Sequence, residues 1–228
     1  MDRQYYQAYD DRYRQVHAEG LQWFADNPTG IVAETMERFG INRNHTILEI
    51  GCGEGRDAWP LLKAGYLLCA TDISEEVIRY NREQWPEFAD SFSVLDCISG
   101  EIEGRYDFIY AVAVIHMLVE DSHRNAFYAF IRKHLSPNGI ALICTMGDGE
   151  IERQSDIRTA FDLQVREHEQ TGTIVTIAST SCRMVSFETF REELSRNRLE
   201  VLEEGLTEAM PDFSMLMYAV VKGAEDDL

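Results

Sequence analysis

The chain has 228 residues, 45% of them hydrophobic and 11% aromatic, which is enough to fill a core and excludes disorder as the default. Its 40 acidic and 21 basic side chains leave a formal net charge of −19; that charge repels a phosphate backbone, no dense basic stripe offsets it, and nucleic acid is not expected as a partner. No apolar stretch reaches the ~18 residues that span a bilayer, the charged and aromatic start MDRQYYQAYDDRYRQVH is not a signal peptide, and Cys52, Cys69, Cys97, Cys144 and Cys182 form no CxxC pair, so a soluble, reduced, cytoplasmic protein without membrane partners is expected.

Tyr6, Tyr9, Tyr13 and Val16 recur at spacings of three and four, which predicts a helix over residues 3–24. Asn27-Pro28-Thr29-Gly30 breaks it, and a second helix over 31–39 stops at Gly40. The period then changes. Residues 46–50 are a short β-prone run, followed at once by Gly51-Cys52-Gly53-Glu54-Gly55 and a helix over 56–64. A strand over 66–71 ends at Asp72, and Ser74 caps the next helix, which carries Val77, Ile78 and Tyr80. A third strand over 91–95 ends at Asp96. The apolar run 106–114 is too short for a membrane and fits a strand buried on both faces. A helix opens at Asp121 or Ser122, Ser136-Pro137-Asn138-Gly139 turns, and residues 140–145 form the fifth strand.

Strands and helices thus alternate five times, the pattern of an α/β, doubly wound, mostly parallel sheet with helices on both faces. Beyond Gly147 the reading gives an insertion with a helix over 157–168 and a β-prone piece over 173–179. A helix over 187–197, closing strands over 199–204 and 215–221, and an acidic tail from Glu225 complete the chain. We expect one domain: an N-terminal helical cap (1–40), a core (41–146), an insertion near the acceptor site (147–183), and a closing helix and strands (184–222).

The chemistry sits where strands end. The glycines after Ile50 let the chain turn tightly and let a ligand lie against bare backbone. Asp72 stands where an acidic side chain meets ribose hydroxyls in dinucleotide folds. Asp96 can accept from an adenine amino group while the Cys97 N–H donates to the ring. Ala111 and Ala113 leave room for an adenosine. Together, LEIGCGEG, TDIS, VLDC, YDFIYAVAVIHML and LSPNGIALI resemble, in order, the motifs of the class I S-adenosylmethionine-dependent methyltransferases. The resemblance covers residues 46–145. It implies a seven-stranded sheet with the last strand antiparallel, S-adenosyl-L-methionine as cofactor and S-adenosyl-L-homocysteine as product. It also implies a cofactor site from Glu49, Gly51, Cys52, Gly53, Asp72, Ile73, Asp96, Cys97, Val112 and Ala113.

Several variants of that chemistry are absent. No Asn/Asp-Pro-Pro-Tyr/Phe motif of nucleic-acid amino-methylating enzymes follows strand four, and GCGEGRD keeps neither GxGxxG nor the Lys-Ser/Thr of a P-loop. The layout after strand five, with Arg183-Met184-Val185-Ser186-Phe187 leading into a helix, resembles the tellurite-resistance (TehB-like) methyltransferases. The implied activity is in-line methyl transfer to a small-molecule thiol or chalcogen, amine or hydroxyl. A cofactor-binding protein without transferase activity, or another S-adenosylmethionine-using enzyme, shares the same motifs.

His116, after strand four, is either a general base facing the acceptor or a loop histidine bonded locally. Tyr5, Tyr6, Tyr9, Tyr13 and Arg14 either close over the cofactor as a lid or pack on the sheet. Arg183 either holds an anionic acceptor or pairs with a surface acid. The remaining histidines form no ligand pattern, so no metal is expected, and the oligomer expected is a monomer or a homodimer.

Overall fold

The computed structural model describes residues 3–23, 27–168, 170–208 and 216–224. A short 3-10 turn, Tyr5–Gln7, leads into α1 (Ala8–Ala18), and α2 is Gly30–Arg38. The core then runs β1 (Thr46–Ile50), α3 (Ala58–Lys63), β2 (Leu67–Asp72), α4 (Glu75–Gln84), β3 (Phe92–Val94), β4 (Tyr106–Val112), α5 (Asp121–His134) and β5 (Leu135–Met146). After it come the short β6 (Arg153–Gln154), β7 (Leu163–Glu167), β8 (Ile174–Ala178) and β9 (Arg183–Met184). The chain closes with α6 (Phe187–Arg196), β10 (Leu199–Thr207) and β11 (Leu216–Gly223).

Seven strands form the central sheet in the order β10-β11-β5-β4-β1-β2-β3. β1 pairs in parallel with β2 and β4, while β11 is antiparallel to both β5 and β10. The strand order reverses between β1 and β4, and that switch point is where open α/β sheets leave a crevice. The doubly wound sheet expected from the alternation, with its last strand antiparallel, is therefore present.

Alternation along the strands builds two cores. In β4, Phe108, Tyr110 and Val112 face α2 and α3, packing with Ile31, Val32 and Leu62. Ile109 and Ala111 face α5 and α6, packing with Phe127, Ile131, Phe190 and Leu194. All five residues are buried, and each large apolar side chain there contributes about 1.5–3 kcal/mol relative to exposure. A strand covered on both faces reads as the uninterrupted apolar run seen in the sequence.

Several boundaries differ from expectation for physical reasons. β4 stops at Val112, because Ala113 takes a left-handed backbone (φ 58°) that turns the chain away from the sheet. The expected turn at Ser136-Pro137-Asn138-Gly139 becomes an irregularity within β5, where the register shifts opposite Tyr106 and Phe108. The helix expected over 157–168 is absent: a single 3-10 turn, Ile157–Thr159, precedes β7, which pairs antiparallel with β8. This hairpin rests on α1 through Val175 and Ile177, which cluster with Val16. The expected acidic tail from Glu225 lies outside the described residues.

Candidate active site

A cavity opens at the C-terminal ends of β1, β2, β3 and β4. Its floor is the loop after β1. Gly51 and Cys52 both donate their N–H groups to the Thr71 carbonyl, at 2.7 and 2.8 Å, which ties the loop to β2. Gly51 has φ 75°, and a Cβ there would sit 2.4 Å from Val114 Cγ2. Only glycine therefore allows the loop to pass so close under the segment after β4. The Asn81 side chain on α4 donates to the Gly53 carbonyl at 2.8 Å and fixes the second turn of the loop.

Acidic side chains stand at the strand ends. Asp72 is buried and accepts from the backbone N–H groups of Gly53 and Ser74, both at 2.9 Å. Burial nevertheless raises its carboxyl to about 6, with Asp10 adding to the shift and the two N–H donors opposing it. Asp96 accepts from Ile98 N–H at 2.9 Å, from Ser99 Oγ at 2.7 Å and from the Tyr6 hydroxyl at 3.3 Å. Glu49, inside β1, lines the cavity and is buried; burial holds its carboxyl well above the ordinary range, with Asp57 reinforcing the shift. The Tyr110 hydroxyl lies beside it and favours its charged form without meeting hydrogen-bond geometry, so Glu49 Oε2 has no hydrogen-bond partner among the described residues. The Tyr110 hydroxyl is likewise buried without a hydrogen-bond partner among the described residues, so the two groups form a polar pair inside the sheet beneath the cavity.

The roof is the N-terminal segment. Tyr6, Tyr9 and Tyr13 line the cavity, and the Tyr9 hydroxyl donates to the Ser181 carbonyl at 2.9 Å. Burial raises all three phenols. The segment is tied down at several points. The buried Arg12 donates to the carbonyls of Ala178 and Ser179 and to Thr180 Oγ1, at 3.0, 2.8 and 2.6 Å. Ser74 Oγ donates to Asp10 at 2.6 Å. His17 bridges Glu54 and Glu76, at 2.9 and 2.8 Å. α1 thus locks the insertion hairpin on one side to α4 and the glycine loop on the other.

The structure brings together at this cavity all ten residues that the resemblance placed at the cofactor, from Glu49 through Ala113, along with Tyr6, Tyr9 and Tyr13. Ala113, at φ 58°, is a strained non-glycine position in its wall. Four other candidates lie off it. His116 is buried and is not among the lining residues; burial, with Arg124 and Arg12 adding to it, lowers its imidazole to about 3. The structure does not bring His116 to the cavity wall, and the burial that lowers it makes it a weak base, which fits the alternative of a locally placed histidine rather than a general base facing the acceptor. The Tyr5 hydroxyl accepts from Val119 and Glu120 N–H, at 2.8 and 3.0 Å, as a structural strut. Arg14 is solvent-exposed and pairs with Asp10. Arg183 donates to the Val119 carbonyl at 2.8 Å and Asp121 at 2.6 Å, which is the surface-acid pairing rather than an anion site in the cavity.

Sequence reasoning missed part of the wall. Glu54, Arg56 and Asp57, just after the glycines, line the cavity, as do Met117 and Leu118 beyond β4. It also chose Arg14 over Arg12, although Ala8, Arg12 and Val16 share the buried i, i+4 line of α1.

Residues 48–141 match the family model of a methyltransferase domain. Over 106 residues, 44% of this chain, the sequence is 31% identical to Hemagglutinin 1 of Eikenella corrodens, and the match covers 34% of that protein, so the chain spans about a third of its length. The fold is similar to the CcbJ methyltransferase of Streptomyces caelestis (TM-score 0.70, 17% identity, 96% of this chain and 98% of that one). It is also similar to a TehB-like S-adenosylmethionine-dependent methyltransferase of Corynebacterium glutamicum (0.58, 21%, 96% and 97%). A third solved neighbour is the 1,6-didemethyltoxoflavin-N1-methyltransferase of Burkholderia thailandensis, with S-adenosylhomocysteine bound (0.63, 16%, 85% and 76%). The fold is that of the class I S-adenosylmethionine-dependent methyltransferases, and the stretch that matches the methyltransferase-domain model, residues 48–141, contains the glycine loop and the ends of β2, β3 and β4.

Proposed function

We propose that this chain binds S-adenosylmethionine in the cavity at the ends of β1 to β4 and passes its methyl group to a small-molecule acceptor. The observation that carries this reading is the joint arrival of the glycine loop, Asp72 and Asp96 at one cavity. The residues fit the cofactor. Gly51 and Gly53 offer bare backbone to its methionine part, Asp72 accepts from ribose hydroxyls, and Asp96 with the Cys97 N–H meets the adenine. The sulfonium supplies an electrophilic methyl with a good leaving group. The protein's part is then to align the acceptor in line and to keep water away.

Tyr6, Tyr9 and Tyr13 do the second, as a roof tied to both halves of the molecule. The lining side chains that could take a proton from an acceptor are carboxyls, with Glu49 and Asp72 raised by burial. A charge of −19 agrees with a small-molecule acceptor rather than nucleic acid.

The test is transfer from methyl-labelled S-adenosylmethionine to the low-molecular-mass fraction of a cell extract. Labelled small molecules formed by the wild type and lost in Asp72→Ala support the reading. Label appearing only in protein or nucleic acid when the whole extract is used contradicts it.

A further inference from the structure

The roof segment is fastened at both ends. Before α1, the Tyr5 hydroxyl anchors it to the backbone of Val119 and Glu120. Along α1, Arg12 bonds the backbone after β8, Gln15 Oε1 accepts the Ala178 N–H at 2.7 Å, and Val16 packs on Val175 and Ile177. α1 and the β7–β8 hairpin therefore form one body. That body meets α4 and the glycine loop through Asp10, which accepts from Ser74 Oγ and the Glu76 N–H at 2.6 and 3.3 Å, through His17, and through Gln22 and Trp23, which donate to the Tyr80 hydroxyl and to Glu54. Of these ties, His17 is the side chain that ordinarily titrates near neutral pH.

We propose that His17 is a proton-operated latch: protonated, it clamps α1 and the hairpin over the cavity, and on losing its proton it releases them, so that the cavity's occupant exchanges faster as pH rises. The occupant's being the cofactor rests on the methyltransferase reading above; the latch itself rests on the roof. Its far contact, Glu54, belongs to the glycine loop and lines the cavity, so the latch acts on the cavity wall directly.

The side chain of His17 is 9% exposed and sits between opposite walls. α4 presents Glu76, at 2.8 Å, with Arg79 paired behind it, and the Tyr80 ring; the glycine loop presents Glu54, at 2.9 Å. On its own helix the Tyr13 ring lies 6.1 Å away, and His168, after β7, lines the groove beside it. A doubly protonated ring donates to both carboxylates, and such charged hydrogen bonds are the strong ones. A neutral ring has one N–H. Its other nitrogen then turns a lone pair to a carboxylate, and Glu54 and Glu76 face each other across an uncharged ring. Burial lowers the imidazole, but the two carboxylates outweigh burial and raise it overall, so the latch is closed at the ordinary imidazole value and opens above it.

The test uses Cys52, which is buried in the cavity wall beneath the roof. The full chain is treated with N-ethylmaleimide, and labelling of Cys52 is followed by peptide mass spectrometry. Each rate is divided by that of the denatured chain at the same pH, which removes the reagent's own pH dependence. The normalised wild-type rate is expected to rise at least about tenfold between about pH 6 and about pH 9, the equivalent of one charged hydrogen bond lost. His17→Gln is expected to label at the high rate throughout, and Glu76→Gln, which removes one of the two carboxylates, to move the rise to lower pH. A flat wild-type profile, a rise that survives in His17→Gln, or an unmoved midpoint in Glu76→Gln overturns the proposal; the last decides it should His17→Gln fail to fold. Protection of Cys52 by S-adenosylhomocysteine reports on the cofactor separately: its absence counts against the methyltransferase reading, while the labelling profile still decides the latch.

Discussion

The carboxylate of Asp72, at the end of β2, accepts the backbone N–H of Gly53 at 2.9 Å and so joins the second strand end to the glycine loop. One group both shapes the loop and presents an acceptor to the cavity. Replacing it by Asn keeps the volume and removes the charge. We expect Asp72→Asn to weaken S-adenosylhomocysteine binding by roughly ten- to a hundredfold, the cost of a lost charged hydrogen bond, as read by calorimetry.

The same residue makes binding depend on pH. Burial raises Asp72 to about 6, above its unfolded value of about 4. The folded state thus holds more protons than the unfolded between these values, and the Asp72 contribution to stability falls as pH rises from about 4 to about 6, by about 3 kcal/mol. Cofactor binding runs the other way, since ribose hydroxyls need the ionised acceptor. Affinity is expected to drop by about tenfold per unit below pH 6 in the wild type and to lose this dependence in Asp72→Asn. A flat wild-type profile between pH 5 and 7 contradicts the role.

His17 ties the roof down through both ring nitrogens, one on Glu54 and one on Glu76, with the Tyr80 ring 4.7 Å away and Arg79 on the far side of Glu76. Both contacts are hydrogen bonds to ionised carboxylates only when the ring is doubly protonated. Burial lowers its pKa, but the two carboxylates outweigh burial and raise it overall. The stabilisation is therefore full below about 6.5, the unfolded value, and is lost as pH rises through the higher folded value. Thermal unfolding of the wild type should show that loss; His17→Gln should start lower and lack it.

Arg124, on α5, meets Glu193, on α6, in a buried two-point pair at 2.7 and 2.6 Å, and also donates to the Ile115 and Leu118 carbonyls at 2.8 and 3.2 Å. The pair holds the segment that carries Met117 and Leu118 into the cavity. Removing one partner leaves a buried charge, so Arg124→Met or Glu193→Leu is expected to cost about 3–5 kcal/mol. The double variant should cost clearly less than the sum, as measured by denaturant unfolding. Strict additivity contradicts the coupling.

Gly51→Ala places a Cβ 2.4 Å from Val114 at a left-handed backbone position. Loss of cofactor-analogue binding with the fold retained is expected by calorimetry and circular dichroism. Adding Val114→Ala removes the clash but not the strain, so rescue should be partial.

The cofactor half was legible because its signals are local. A β-prone run ending in glycines, and acids at the next two strand ends, fix both the elements and the place where they converge. The insertion was not legible for the same reason inverted. In β7, Leu163 and Val165 are 65% and 69% exposed, so its apolar residues face solvent rather than a core and the usual inward pattern fails. What holds the hairpin is distant in sequence: Arg12 bonding the backbone after β8, and Val16 packing on Val175 and Ile177. His116 was misplaced because the sequence shows a polar residue after β4 but not the left-handed turn at Ala113 that redirects the chain.

The measurement that bears most directly on the central claim is a calorimetric titration of the wild-type chain with S-adenosylhomocysteine at neutral pH. The account predicts saturable one-to-one binding in the micromolar range. Absence of binding by the folded protein would contradict it.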